Sequence, residues 1–467
     1  MRRFPRIPLL VFAAALALAA CQATSAPEPG VDLEVTVSGS TVLRTVEPGL
    51  IFGANLGAWV SNTKLGPATQ DLFKALRPSI ARFPGGNMCN NYCWVEQKVS
   101  DNDHVVWNDW SWGIGVDQYI AFLKAVDGVP MFSLNPFDHT IDGESHSAVA
   151  EAAALAAKLV AEGFSGAYYE VGNENDGSWN PMLGIEAYTD RFVLLARAVK
   201  AVDPSARFLG PVASYPETVE DFLDRLALVG GTGLLDGVSY HHYGGWISNS
   251  NTSGIDLGEP QQYSDGLDAL RADLASRGLA RVKIAVTELN AAIWDTGCTR
   301  DQFTIKQGLW LADALGVSLV GADAANVWIH LHPGADPHAL IDSDATPPAG
   351  TRNYGPVALT AQTLSASDPT EPVEVLPVAL GAGPSVLTGY AARKADGTIG
   401  VLLVNKSAES FKIALESPAI PRSVTGRVIG PEEYAAAAAP AALPVRIESR
   451  RAIFDIPATS IVGLDIR

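Results

Sequence analysis

Ala167-Tyr168-Tyr169-Glu170-Val171-Gly172-Asn173-Glu174-Asn175 starts as a short apolar run and ends in a polar, glycine-containing turn. An apolar run that does not alternate reads as a parallel strand covered on both faces. Seven further runs have this character, at 51–56, 79–83, 129–134, 207–212, 237–240, 283–287 and 325–331; the present one covers 167–171. Helical spacing of apolar residues fills several of the gaps, most clearly at 148–162 and 186–202. Alternating strand and helix over this span predicts an α/β fold, a (β/α)8 TIM barrel, rather than a doubly wound sheet. No Gly-x-Gly-x-x-Gly follows the first run and no phosphate-binding loop motif occurs, so nucleotide chemistry has no support.

Beyond residue 361 the pattern changes. Short strand-like runs at 373–376, 386–392, 398–405, 411–415, 424–429, 446–448, 452–456 and 460–466 are separated by turns, as in an antiparallel β-sandwich. Two early runs, 33–37 and 41–46, precede the first barrel strand and are expected to join that C-terminal sandwich. The alanine-rich 435–440 stretch reads as a loop within it. The predicted organisation is therefore N-terminal strands at 33–48, a catalytic barrel at 49–360 and a sandwich at 361–467.

The 467 residues are 47% hydrophobic and 18% charged, enough apolar material for a sizeable core. The formal charge of −18, with no lysine- or arginine-rich run, excludes nucleic acid as a natural partner. Residues 1–20 place Arg2, Arg3 and Arg6 before an unbroken apolar run at 9–20, too short to span a bilayer and typical of an export signal. Leu18-Ala19-Ala20-Cys21 resembles a bacterial lipoprotein cleavage site, which implies lipidation of Cys21 and anchoring at the cell envelope, on the outer membrane or cell surface. An ordinary signal peptide with an incidental Cys21 is the alternative. Residues 21–32 would then be a flexible tether. Cys89 and Cys93 are a candidate local disulfide in an exported chain, and either could instead pair with Cys298. No paired Cys-x-x-Cys sets are present, so zinc has little support, and no metal or organic cofactor is expected.

In a parallel barrel, reactive side chains stand at the C-terminal ends of the strands. Glu174 follows the fourth run, and Glu288 follows the seventh in Ala285-Val286-Thr287-Glu288-Leu289-Asn290. Buried strands rarely end in an acid without a partner or a role. Two glutamates facing each other across a barrel mouth are what glycosidic hydrolysis needs: one with a raised pKa to protonate the leaving oxygen, one ionised to attack the anomeric carbon. Each glutamate alone would read as a solvated loop acid or a helix cap.

Three stretches carry a resemblance to retaining (β/α)8-barrel glycoside hydrolases of the large clan A, nearest to family 51, known chiefly for α-L-arabinofuranosidases. They are Arg82-Phe83-Pro84-Gly85-Gly86-Asn87, Val171-Gly172-Asn173-Glu174-Asn175-Asp176-Gly177-Ser178-Trp179 and Ser239-Tyr240-His241-His242-Tyr243. The resemblance implies Glu174 as acid/base and Glu288 as nucleophile. It also implies substrate contacts from Asn55, Arg82, Asn87, Asn173, Trp179, His241 and Tyr243. Asn173 is expected on a sugar 2-hydroxyl, Arg82 paired with Glu288, and Trp179 as a stacking wall. His242 should point away and pack. Trp94, Trp107, Trp110, Trp112, Trp246 and Trp294 are further loop candidates, and His330 and His332 fit either rim binding or packing. Two departures matter: Gly57 stands about where the family carries a glutamate that grips sugar hydroxyls, and Thr287-Glu288-Leu289-Asn290 replaces the usual Asp-Glu-Trp-Asn. These leave hydrolysis intact and open the sugar specificity to another clan member's, such as a β-xylosidase, β-glucuronidase or endo-glucanase. A non-catalytic glycan-binding surface lipoprotein is the alternative of a different class.

Overall fold

Eight parallel strands close into a barrel in chain order: Gly53–Leu56, Ile80–Phe83, Val129–Leu134, Tyr168–Val171, Arg207–Ala213, Gly237–Gly244, Lys283–Ala291 and Ala324–His332, the last pairing with both the first and the seventh. The computed structural model describes residues 30–244, 254–291, 304–332, 336–418 and 422–467. The export signal, Cys21, Trp246, Trp294 and Cys298 lie outside the described residues. The strands are apolar because helices cover them outside and side chains fill the lumen. Residues such as Phe83, Phe132, Tyr169, Phe208 and Val286 are all essentially inaccessible. Among the described residues, no helix is long and apolar enough to cross a membrane.

The sixth and seventh strands run four residues further than their apolar runs suggest, to Gly244 and Ala291. After a one-residue register shift at Thr287 their polar tips still pair across the strands, His241 with Glu288 and Tyr243 with Asn290. Polar side chains that bond to one another at the mouth remove the reason for the strand to end. The first strand, by contrast, starts later than expected, because Pro48–Ile51 forms a helical turn with proline at its start.

Two sheets form the sandwich. The larger runs Arg44–Val46, Val373–Leu376, Leu387–Arg393, Ile399–Asn405, Ser460–Ile466, Val424–Ile429 and Ala441–Leu443. The smaller runs Val378–Leu380, Leu33–Val37, Phe411–Glu416, Arg451–Ile456 and Arg446–Glu448. Both early strands are thus taken in, one by each sheet. Leu33–Val37 departs from the antiparallel expectation, since it pairs in parallel with Phe411–Glu416. The whole barrel separates it from that strand in sequence, with no hairpin between them, so no turn dictates its direction. Val35, Leu387, Val401, Leu403, Ile413, Phe454 and Val462 fill the inter-sheet core. The larger sheet leans on the helix Ile305–Gly321 through an almost inaccessible ion pair between Lys406 and Asp313, and Tyr390 donates to the same carboxylate at 2.6 Å.

Candidate active site

Side chains from three other strand ends converge on one buried cation at the end of the second. Arg82, at the end of the second strand, has no exposed surface and donates to four acceptors. Nε reaches Glu170 at 2.5 Å, Nη1 reaches Asn55 at 3.1 Å and Glu288 at 2.9 Å, and Nη2 reaches Asn173 at 2.6 Å. These acceptors come from the first, fourth and seventh strands. A guanidinium suits the position because its fixed fork satisfies several acceptors at once.

Glu288 is held from the other side by the Tyr243 hydroxyl, which donates to Oε2 at 2.6 Å. Glu174 receives the Trp179 indole N–H at 2.6 Å on Oε2 and meets His241 Nδ1 at 2.7 Å on Oε1. The same His241 nitrogen lies 3.6 Å from Glu288 Oε2. One ligand-type atom from each of Glu174, His241 and Glu288 lies within 4.8 Å of the other two. The backbone sets Glu174 in this position: Gly172 and Glu174 both adopt left-handed conformations, φ 68° and 46°, and Glu174 N–H donates to Val212 carbonyl oxygen at 2.9 Å. A glutamate held at positive φ is a strained residue kept in place by its surroundings.

The two carboxyls are shifted in the opposite sense to the simple expectation. Burial, the largest influence, would raise Glu174, but the hydrogen bond and charge of His241, then Trp179 and Arg82, hold its pKa below the ordinary value. Glu288 is raised by burial, which His241, Arg82 and Tyr243 do not fully offset. His241 is itself raised: burial opposes its charge, but Glu288 and Glu174 outweigh that. These directions together favour a charged imidazole beside an ionised Glu174.

A cavity of about 900 Å³ opens over these groups, lined by Trp59, Asn87, Trp179, His241, Tyr243 and Trp328 besides the two glutamates. Asn87 is exposed there and accepts from Asn173 and Asn180. Trp179, His241 and Tyr243 line the cavity with Asn87, whereas three of the other predicted contacts do not. Asn55, Arg82 and Asn173 are buried behind the carboxylates. Asn55 donates to Thr287 carbonyl oxygen, and Asn173 bridges Arg82 and Asn87, so these three position the site rather than line it. Trp179 is 46% exposed on the wall, beside Tyr215, but also bonds Glu174. His242 turns outward to Glu259 and stacks on Tyr263. His330 is buried against Phe73 and pushed down to about 3, a neutral packing residue, whereas His332 borders Trp59. Trp94 donates to the Glu151 carbonyl oxygen and packs on the core, while Trp110 and Trp112 pair with each other.

Cys89 and Cys93 are not joined; both are buried free thiols. Cys89 lies in the 3-10 turn Gly86–Asn91, and Cys93, on the following short strand, directs its sulfur to Glu151 at 3.3 Å. Residues unmarked by the sequence also matter here. Glu170 is the second carboxylate on Arg82, and Asn90 clamps the Asn173 backbone through its carbonyl and N–H. Only the acid inside the apolar fourth run could have signalled Glu170.

No protein-family model matches the chain, and no curated protein is similar to it in sequence. Solved structures are similar in fold. The family-51 arabinofuranosidase from Xanthomonas axonopodis pv. citri is 18% identical, with 94% of this chain and 100% of that one covered at a TM-score of 0.69. The α-L-arabinofuranosidase from Thermotoga maritima, in an arabinose complex, is 14% identical over 93% and 100%, with a TM-score of 0.69. A xyloglucanase of glycoside hydrolase family 44 from Paenibacillus polymyxa is 15% identical over 93% and 99%, with a TM-score of 0.67. The class of fold is thus defined: a (β/α)8 barrel with a β-sandwich, as in these glycoside hydrolases.

Proposed function

We propose that the protein is a retaining glycoside hydrolase with Glu288 as nucleophile and Glu174 as acid/base. One observation carries this reading. Carboxylate oxygens of Glu174 and Glu288 approach within 4.8 Å over an open cavity. Retaining pairs stand about 5–5.5 Å apart, whereas inverting pairs need about 6.5–9.5 Å to admit a water.

In the first step Glu288 bonds to the anomeric carbon as the glycosidic bond breaks, and the leaving oxygen takes the proton of Glu174. Water then attacks the same carbon, returns a proton to Glu174 and releases Glu288. The proton Glu174 needs is within reach, because transfer over 2.7 Å from His241 Nδ1 arms the acid and leaves the imidazole neutral. Arg82 and Tyr243 meanwhile stabilise Glu288 as an anion.

Two predictions arise from these roles. Glu174→Ala should lower kcat/KM by roughly 10²–10⁴-fold on substrates with poor leaving groups, and much less on nitrophenyl glycosides, whose departure needs no proton. Added azide should restore turnover and give a glycosyl azide of the substrate's own anomeric configuration; an unrescued variant counts against the role. His241→Asn tests the proton store. With His241 raised, the wild-type site keeps its proton above the ordinary imidazole range, and kcat/KM falls as pH rises through that raised value. In the variant the limb belongs to a carboxyl freed from the imidazolium and should move to lower pH. An unmoved alkaline limb would show that the proton is held elsewhere.

The cavity wall supports a neutral pyranose glycan over an arabinofuranoside. At Gly57, where the resemblance places a hydroxyl-gripping glutamate, a β-carbon would come within 2.4 Å of the Trp59 indole. Trp59 and Trp328, with ring centroids 5.9 Å apart, offer an aromatic face to sugar C–H groups. Among the described lining residues there is no lysine or arginine to take a uronic acid carboxylate. Comparing nitrophenyl β-xyloside, β-glucoside, β-glucuronide and α-L-arabinofuranoside tests this, with no turnover of any glycoside favouring a binding protein instead. Lipidated at Cys21, the enzyme would act on polysaccharide outside the cell.

A further inference from the structure

Away from the cleft, Cys93, His139, His146 and Glu151 each bring one ligand-type atom within 4.8 Å of the others, the two imidazoles lying stacked with centroids 5.0 Å apart. They come from separate segments. Cys93 sits on the strand Tyr92–Cys93 that follows the second barrel strand's rim turn. His139 and His146 are directly opposed across the hairpin His139–Ile141 and Glu144–His146, so their side chains share a face. Asp142 and Gly143, both left-handed at φ 52° and 86°, make its tight turn and fix that register. Glu151 projects from the first turn of the helix Ala148–Ala161.

Four of the six ligand-atom separations follow from the contacts of Glu151 and Cys93, and they scatter about a tetrahedron's edge length. Glu151 Oε1 lies 2.9 Å from His146 Nδ1, 3.3 Å from Cys93 Sγ and 3.6 Å from His139 Nε2, and Cys93 Sγ lies 4.0 Å from His146 Nδ1. A tetrahedral zinc with nitrogen and oxygen ligands at about 2.0–2.2 Å and sulfur at about 2.3 Å separates its ligand atoms by about 3.3–3.6 Å.

A second, independent feature points inward. The His139 side chain is wholly buried, and its Nε2 has no hydrogen-bond partner. Its Nδ1 lies 3.1 Å from the Phe137 carbonyl oxygen, to which it donates. That bond leaves the Nε2 lone pair facing the cluster, the arrangement by which ligating histidines are oriented. A thiolate and a carboxylate would together neutralise a divalent ion, and thiolate with imidazole selects a borderline metal over calcium or magnesium.

We propose that Cys93, His139, His146 and Glu151 form a closed, four-ligand binding site for one structural Zn²⁺. The ion would tie the hairpin and the helix start to the segment that leads back to the cleft. That segment includes Asn90, which holds Asn173, and Asn87 and Met88, which line the cavity. No local motif announces these ligands, which have no Cys-x-x-Cys or His-x-His spacing.

The test uses the full mature chain, stripped with chelator and titrated with Zn²⁺ and with Co²⁺. The expected result is one equivalent bound per chain, a Tm several degrees higher with Zn²⁺, and a thiolate-to-cobalt charge-transfer band. Cys93→Ser should lose that band, whereas Glu174→Gln should keep it, separating this site from the Glu174, His241 and Glu288 trio. Failure of the wild-type chain to bind an equivalent of either ion overturns the proposal without reference to any variant. Persistence of the band in Cys93→Ser, or its loss in Glu174→Gln, overturns it as well.

Discussion

Glu288→Gln should leave a folded protein whose kcat is lower by about 10⁴-fold or more, equivalent to about 5.5 kcal/mol of lost transition-state stabilisation. The substitution keeps the shape of a side chain that accepts from Arg82 at 2.9 Å and from Tyr243 at 2.6 Å. An amide oxygen still accepts from Arg82, and the Tyr243 hydroxyl can reverse to accept from the amide nitrogen. What disappears is the negative charge that attacks the anomeric carbon. Because a double displacement has no route around its covalent intermediate, the loss should fall on kcat for good and poor leaving groups alike, unlike the leaving-group dependence expected for Glu174→Ala. Steady-state kinetics on any turned-over glycoside, with circular dichroism to verify folding, make the measurement. A variant that keeps a tenth of its activity would remove Glu288 from the reaction.

Arg82→Met should have the largest effect on stability of any single change in the site. The guanidinium is inaccessible and holds two carboxylates, Glu170 and Glu288, that are themselves 0% and 5% exposed. Deleting one partner of a buried ionic network leaves uncompensated charge, which costs about 3–5 kcal/mol. Domains of this kind are stable by about 5–15 kcal/mol, so the denaturation midpoint should fall markedly. The sign with pH follows from the carboxylates left behind. Without Arg82 the Glu288 carboxyl, already raised by burial, loses a charge that holds it down and rises further; a raised acid destabilises the fold most above that value, where it must ionise in the protein interior. The deficit against wild type should therefore shrink as pH is lowered and be widest at neutral pH and above. Urea titrations of both proteins at acidic and neutral pH test this, and equal midpoints at neutral pH would mean that Arg82 does not neutralise the pair.

How much of this was readable in the chain depends on the kind of interaction. The barrel was legible because each strand is buried on both faces and shows as a continuous apolar run with helical spacing between. Glu174 and Glu288 were legible because an acid at the end of such a run needs a reason. The lengths of the sixth and seventh strands were not, because His241, Tyr243 and Asn290 look like loop residues until their cross-strand partners are known. The Cys89–Cys93 bridge was a reasonable expectation from spacing alone. It fails because a 3-10 turn followed by a strand sends the two sulfurs apart, and Cys93 meets Glu151 instead.

Trp59 and Trp328 were invisible for a related reason. Their shared wall joins the loops after the first strand and the eighth strand itself, 269 positions apart, and no local pattern records that meeting. Protonation was hidden too. Composition supplies two carboxyls and an imidazole, but which of them holds the proton depends on 2.7 and 3.6 Å separations around His241.

The sequence alone determined the sort of molecule: its periodic apolar runs dictate a parallel barrel, its later short runs a sandwich, and its strand-end acids the side of the barrel where chemistry belongs. Tertiary structure decided which polar groups meet there, which cysteine faces a histidine pair, and which carboxylate is held ionised. The physical reason is that burial is a property each residue carries in its own composition and spacing. Contact and charge regulation exist only after barrel closure brings distant strand ends within a few ångströms in a poorly solvated space.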